Sequence, residues 1–173
     1  MSIEEFLCNM KQPFDMTAWD LPLAVTTASP EETEAVGAAL GRALEADASL
    51  PRYVAMYGDL GVGKTAFVRG LASVLAPGKA VKSPTFALVH EHRVSGKTPL
   101  FHFDLYRVES EDDLYSIGYD DYLDQGFCVC EWCEKIPYAI PAHHVEVRIE
   151  KDACEVDSRH ITISKKAKEA RAC

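Results

Sequence analysis

Long apolar runs are missing from this 173-residue sequence. None approaches the roughly 18 consecutive apolar residues of a membrane-spanning helix, so no membrane association is expected. Residues 1–20 carry Glu4, Glu5, Asp15 and Asp20 and have neither a basic start nor an apolar h-region, which excludes reading them as a secretory signal. The six cysteines are therefore expected as thiols in a cytoplasmic protein rather than as a disulfide framework. Base is scarce too: 18 Lys and Arg stand against 27 Asp and Glu, a net charge of −9. Proteins that hold nucleic acid unaided neutralise phosphates with Lys and Arg, so a chain this acidic is not expected to grip it by itself. No internal repeat is visible. What remains, 47% hydrophobic and 26% charged residues, is the composition of one ordinary globular domain able to bury roughly 70% of its unfolded surface.

The negative charge is concentrated. Seven acids (Glu109, Glu111, Asp112, Asp113, Asp120, Asp121, Asp124) fall within 109–124 with no base among them. The window reads either as a solvated helix–turn or as a docking face for a basic partner surface. The tail over 165–173 is basic, with Lys165, Lys166, Lys168 and Arg171 against Glu169, and reads as a fraying terminal helix.

Strands and helices alternate along the chain. Residues 1–20 show no clean period and are expected to be a weakly ordered extension; the domain proper is expected over 21–164. A short strand at 21–27 precedes Ser29-Pro30-Glu31-Glu32, which has an N-cap Ser, Pro at the first helical position and a capping-box Glu. Val36, Leu40, Ala43 and Leu44 continue it as a helix over 31–47. A strand at 52–57 and a helix at 64–75, stopped by Pro77-Gly78, come next. Strands at 86–94 and 100–105 flank Ser95-Gly96 as a hairpin. Short helices fit the acidic window, then strands fit 127–130, 145–149 and 160–164.

Between the second strand and the second helix lies Gly58-Asp59-Leu60-Gly61-Val62-Gly63-Lys64-Thr65, a full match to G-x-x-x-x-G-K-[ST]. Glycines at these spacings let the loop wrap so that backbone N–H groups face an anion, with the positive end of the helix dipole behind them. Lys64 is placed to reach the β- and γ-phosphates, and the Thr65 hydroxyl to ligate Mg²⁺. The fold expected is α/β, a three-layer P-loop NTPase sandwich on a mainly parallel sheet with antiparallel edge strands.

Such a loop needs a carboxylate at the end of another strand to hold the metal's water shell. Leu100-Phe101-His102-Phe103-Asp104 is an apolar strand ending in acid, making Asp104 the Walker-B candidate; a capping Asp is the alternative. Phe127-Cys128-Val129-Cys130-Glu131 has the same form. A carboxylate at a buried strand end is costly unless a cation or hydrogen bonds compensate, so Glu131 is a candidate Mg²⁺ ligand or a group orienting the attacking water. Ser83-Pro84-Thr85 lies where switch loops lie, and Thr85 is a candidate sensor of γ-phosphate or metal, with a plain turn as the alternative. Trp132, beside Glu131, is placed to cover the site, to meet a partner, or to fill the core. Glu134 is a further candidate nucleotide contact. Cys130-Glu131-Trp132-Cys133 spells C-x-x-C, but no second pair has ligand spacing, and buried or free thiols are expected.

The motif 58–65, Ser83-Pro84-Thr85-Phe86, His102-Phe103-Asp104-Leu105-Tyr106-Arg107 and Glu131-Trp132, in this order and at these separations, resemble the TsaE (YjeE) family. These are bacterial P-loop ATPases needed to make threonylcarbamoyladenosine in tRNA, and the resemblance covers about 21–164. It implies ATP and Mg²⁺ as cofactors, with nucleotide held by Leu60, Gly61, Val62, Gly63, Lys64 and Thr65. It implies Mg²⁺ held by Thr65, Asp104 and Glu131, a switch role for Thr85, and Trp132 beside the nucleotide. It further implies a complex with TsaD and TsaB, threonylcarbamoyl transfer on TsaD, and tRNA reached indirectly through that complex. The sequence departs from the family twice. Cys133 stands where Pro is common, and residues 1–20 exceed the usual length before the first strand.

Asn9 is the only asparagine, far from the motif, which argues against the Asn-Lys-x-Asp segment of a GTPase. A small-molecule kinase would supply Arg from a lid, and no Arg-rich lid segment exists here; Arg69 and Arg107 are the only basic candidates near the motifs. A nucleotide-dependent binding module, in which hydrolysis only resets a conformation, is the remaining alternative.

Overall fold

A computed structural model of the chain describes Glu5 and residues 22–167. The extension expected over 1–20, Glu5 apart, and residues 168–173 of the basic tail lie outside the described residues.

Seven strands form one sheet: β1 (Leu23–Thr27), β2 (Tyr53–Tyr57), β3 (Val89–His92), β4 (Leu100–Asp104), β5 (Phe127–Glu131), β6 (His143–Lys151) and β7 (Arg159–Ala167), in the order β1-β7-β6-β2-β5-β4-β3. The central four, β6, β2, β5 and β4, run parallel; β7 and β1 on one side and β3 on the other pair antiparallel. Helices α1 (Pro30–Ala46) and α2 (Lys64–Leu75) cover one face. Two short helices from the acidic window, α3 (Glu111–Ser116) and α4 (Tyr119–Leu123), lie on the other. Strand alternation divides the core accordingly. Val54, Met56, Leu100, Val129 and Ile149 pack under α1 and α2, while Tyr53, Ala55, Phe101, Phe103, Cys128 and Cys130 pack with Leu114 and Tyr119. The architecture is the expected three-layer α/β P-loop sandwich with antiparallel edges.

Local chemistry explains the helix that supports the site. The Ser29 side chain accepts from Glu32 N–H at 3.2 Å, which satisfies one orphan donor of the first turn of α1, and the Glu32 carboxylate accepts from the N–H of Ala28, just before the cap, at 2.7 Å. Helix α1 then touches α2 backbone to backbone. A Cβ at Gly37 would sit 2.1 Å from the Phe67 carbonyl oxygen, and one at Gly70 would sit 1.8 Å from that of Glu34. This seam fixes how α2, which begins at Lys64, lies against α1.

Two expectations are corrected. The strand expected over 86–94 is only Val89–His92. Leu88 takes a left-handed backbone (φ 63) and its N–H closes on Pro84 O at 2.7 Å, which holds 84–88 as a turn instead. The terminal helix expected in the tail does not form where the structure describes it. Lys165 and Lys166 continue β7, opposite Val145 and His144 of β6, because the ladder supplies their backbone partners. No helix among the described residues is long and apolar enough to cross a membrane.

Candidate active site

The loop after β2 folds back over the carboxyl end of the sheet. Its turn needs backbone that only glycine adopts at no cost: Gly58 has φ 138 and Gly63 has φ 105, and a Cβ on Gly58 would lie 2.3 Å from Ile149 O. Lys64, at the start of α2, is buried. Its ammonium donates to the carbonyls of Gly58 (2.5 Å) and Asp59 (2.9 Å) and sits 3.8 Å from the centre of the Trp132 ring. Burial pushes its pKa below the ordinary lysine value, while Glu131, Glu134, Asp104 and Asp59 pull the other way. In this state Lys64 satisfies itself on the loop it belongs to.

Two carboxylates face it. Asp104 and Glu131 are direct neighbours in the parallel register of β4 and β5, so both project to the α2 side, and each is 3% exposed. Asp104 Oδ2 accepts the hydroxyls of Thr85 (2.6 Å) and Ser83 (2.7 Å), and its Oδ1 accepts the N–H of Tyr106 (3.1 Å). The Ser83–Thr85 loop is thus tied to the acid of β4. Glu131 accepts the Thr65 hydroxyl at 3.1 Å and the His102 Nε2–H at 2.8 Å. Two carboxylates and a hydroxyl converging on one space are hard oxygen donors that fit Mg²⁺, which usually takes one or two carboxylates and completes its shell with water and phosphate.

Trp132 follows directly with φ 65, a left-handed backbone that costs about 1–3 kcal/mol in a non-glycine residue. The one-turn 3₁₀ helix Cys133–Lys135 holds it there, with Lys135 N–H on Trp132 O at 3.0 Å. Cys133, at the first position of that turn, is buried, and its thiol donates to Cys130 O at 3.1 Å. The first position of a helical turn also suits proline, so Cys133 is compatible with the same loop conformation. Trp132 is half-buried, packs against Tyr106 in a tilted ring contact at 4.9 Å between centroids and walls the cavity beside Lys64.

A cavity of about 560 Å³ gathers Leu60, Gly61, Val62, Gly63, Lys64, Thr65, Thr85, Asp104, Glu131 and Trp132. Its size suits a nucleotide. Glu134 is not among them: it is exposed and lines the neighbouring cavity with Tyr57, Asp59 and Arg148. The model of the family described as threonylcarbamoyl adenosine biosynthesis protein TsaE matches residues 27–161. The chain belongs to the TsaE family. It is similar to the tRNA threonylcarbamoyladenosine biosynthesis protein TsaE of Bacillus subtilis, 35% identical over 139 residues, which is 80% of this chain and 82% of the relative. The protein of that name from Treponema pallidum is 34% identical over 122 residues, 70% of this chain and 86% of its own. Among solved structures, the crystal structure of Bacillus subtilis YdiB superposes with a TM-score of 0.64 at 30% identity, covering 84% of this chain and 86% of that one. The TsaE match encloses the loop 58–65, Asp104 and Glu131.

Sequence reasoning missed several groups that the fold brings to this TsaE site. Ser29, Pro30 and Thr33 of the α1 start, with Asp157 and Arg159 at the entry to β7, form the far end of the cavity. Arg159 is anchored to the loop, its Nε–H donating to Val62 O at 3.0 Å and its Nη1 to Val156 O and Ser158 O at 2.7 Å each. Arg69 at the rim is exposed and pairs with Glu34 at 2.8 Å. His102, fully buried, belongs here too; its place two residues before Asp104 on a strand, hence on the same face, is the signal in the sequence. The cysteines of the C-x-x-C lie on the opposite face from the cavity, where burial pushes the Cys130 thiol pKa up.

Proposed function

We propose that this chain is a Mg²⁺-dependent ATPase that serves threonylcarbamoyladenosine modification of tRNA in the cytoplasm, working in a complex with TsaD and TsaB. The observation that carries the reading is the convergence of Lys64, Thr65, Asp104 and Glu131 on one cavity of nucleotide size. Membership of TsaE, whose curated relatives are named for threonylcarbamoyladenosine biosynthesis, supports the pathway. The net charge of −9 supports reaching tRNA through partners.

The backbone N–H groups of 60–65 and the start of α2 bind the phosphates, and Lys64 exchanges its two carbonyl partners for phosphate oxygens. Thr65, Asp104 and Glu131 would hold Mg²⁺, which would supply positive charge to offset that of the phosphates. Hydrolysis joins a water oxygen to the γ-phosphorus, breaks the bond from that phosphorus to the β–γ bridging oxygen, and releases ADP, phosphate and a proton. Thr85 responds to occupancy because its hydroxyl now occupies Asp104, and that contact competes with any cation there. An arginine finger is worth about 10³–10⁵ in rate, and the rim arginines here are tied to Glu34 and to backbone carbonyls. Slow hydrolysis alone, quickened by partners, is the expected behaviour.

The test is reconstitution with TsaB and TsaD, scoring modified tRNA over several turnovers with and without this chain, alongside its Lys64→Ala variant. Stimulation by the native chain and none by the variant is expected. Undiminished ATPase activity in Lys64→Ala would refute the assignment, and phosphorylation of a small molecule in place of stimulation would favour a kinase.

A further inference from the structure

Glu131 is held from below as well as from the front. On β4, residues 102 and 104 share a face one pleat apart, about 6.6 Å along the strand. Asp104 is level with Glu131 in the register, and His102 is level with Val129. From that lower position the imidazole reaches up to Glu131, with Nε2 at 2.8 Å from Oε1. His102 is 0% exposed and Glu131 3%. A carboxylate so buried is costly without donors, and the structure gives Glu131 two side-chain donors, Thr65 and His102. The Thr65 hydroxyl is the one that turns to metal or phosphate once nucleotide is bound, which leaves the imidazole as the constant partner.

The tautomer follows from the surroundings. A carboxylate only accepts, so Nε2 carries the hydrogen. Nδ1 is buried and has no hydrogen-bond partner among the described residues. An unpaired lone pair there is tolerable, whereas placing the hydrogen on Nδ1 would strand a donor and turn a lone pair toward the carboxylate. Only one end of this ring is engaged, and it is engaged with Glu131.

We propose that His102 is a positioning residue that fixes the Glu131 carboxylate toward the Thr65 hydroxyl and the metal side of the cavity. This rests on the ATPase reading. Carboxylate–imidazole pairs of this kind, behind a metal-facing group, are worth about 10–100-fold in affinity or activity when broken.

Glutamine and asparagine separate the two ring positions, because a Gln amide nitrogen falls near Nε2 and an Asn amide nitrogen near Nδ1. His102→Leu and His102→Asn should lower single-turnover ATP hydrolysis about 10–100-fold and weaken the gain in nucleotide affinity that Mg²⁺ confers, with metal-free nucleotide affinity unchanged. His102→Gln should recover most of both. In a Glu131→Gln background, His102→Leu should add less than about twofold, since broken partners in one unit are not additive. Additive losses, or a Gln variant no better than Asn, would overturn the proposal, as would a Leu variant that folds and works like the native chain. If His102→Leu fails to fold, the Gln–Asn contrast decides it. If the native chain does not hydrolyse ATP even with TsaB and TsaD, the ATPase reading falls, and the same cycle read on Mg²⁺-dependent nucleotide affinity still decides the role of His102.

Discussion

Gly70→Ala is a mutation for which two familiar effects have opposite signs. In an exposed helix the change stabilises by about 1 kcal/mol through helix propensity. At Gly70 the new Cβ would lie 1.8 Å from Glu34 O, 2.6 Å from its carbonyl carbon and 2.8 Å from its Cα, all backbone atoms that cannot rotate away. Normal contact needs about 3.5 Å, so α1 and α2 must part by roughly 1.5 Å along the seam. Parting them thins the packing of Val36, Leu40, Phe67 and Leu71, which are all buried. Overpacking of this kind costs about 1–3 kcal/mol, and backbone-to-backbone contact belongs at the upper end. The net expectation is a loss of about 2 kcal/mol, or a Tm lowered by roughly 4–8 °C for a chain of this size. The same displacement moves Lys64 and Thr65 away from Glu131, and misplacement by about 1 Å can cost up to about 10²-fold in rate. Urea and thermal unfolding, followed by MgATP titration of the folded variant, measure both. A Tm equal to or above that of the native chain would refute the seam argument.

Further outcomes follow from single contacts. Nucleotide should draw Lys64 off the Trp132 ring, so in a Trp19→Phe background the emission of Trp132 should change on adding MgATP; an unchanged spectrum at saturation would contradict the 3.8 Å stacking as a nucleotide-sensitive contact. Burial lowers the pKa of His92, with His102, His90 and Lys79 adding to the effect. The unfolded chain therefore binds more protons there below its ordinary value near 6.5, and stability should rise with pH from the lowered value up to about 6.5. His92→Gln should flatten that slope in urea midpoints measured between pH 5 and 7, and an unaltered slope would show that His92 does not contribute. Reversing Glu111, Asp112 and Asp120 to lysine, three exposed acids of the 109–124 window, should weaken TsaD binding more at low salt than at high salt; equal affinity at both would leave the window as solvated surface.

What could be read from sequence depended on how local the cause was. The loop at 58–65 and α2 were legible because glycine spacing and a 3.6-residue apolar period sit within a few residues of each other. The acids at the ends of β4 and β5 were legible because each closes a short apolar run. The start of β3 was not, since composition favoured a strand from 86 and nothing in it announces the left-handed Leu88 that delays pairing to Val89. Lys165 and Lys166 looked like a helix terminus because their strand state comes from ladder bonds to β6, a partner some 20 residues away. Arg159 reaches the loop carbonyl of Val62 across 97 positions, and His102 reaches Glu131 across 29. The first leaves no trace in local pattern, and the second shows only in the place of His102 two residues before Asp104 on one strand face. Glu134, a candidate nucleotide contact from sequence, lines a different cavity because the 3₁₀ turn after Trp132 redirects the chain.

The pairing of Asp104 with Glu131 across β4 and β5 bears on which length changes this protein can survive. One residue added inside β4 would swing Asp104 to the face of Phe103 and Tyr119, burying an acid among aromatic rings. Two added residues would restore the face but carry Asp104 about 6.6 Å past Glu131, beyond a shared cation. The turn at 93–99 is different: a Cβ on Gly96 meets nothing within 4 Å. An insertion scan should therefore give two sharply separated classes, tolerated in that turn and inactivating within the strands, with the boundary at Leu100.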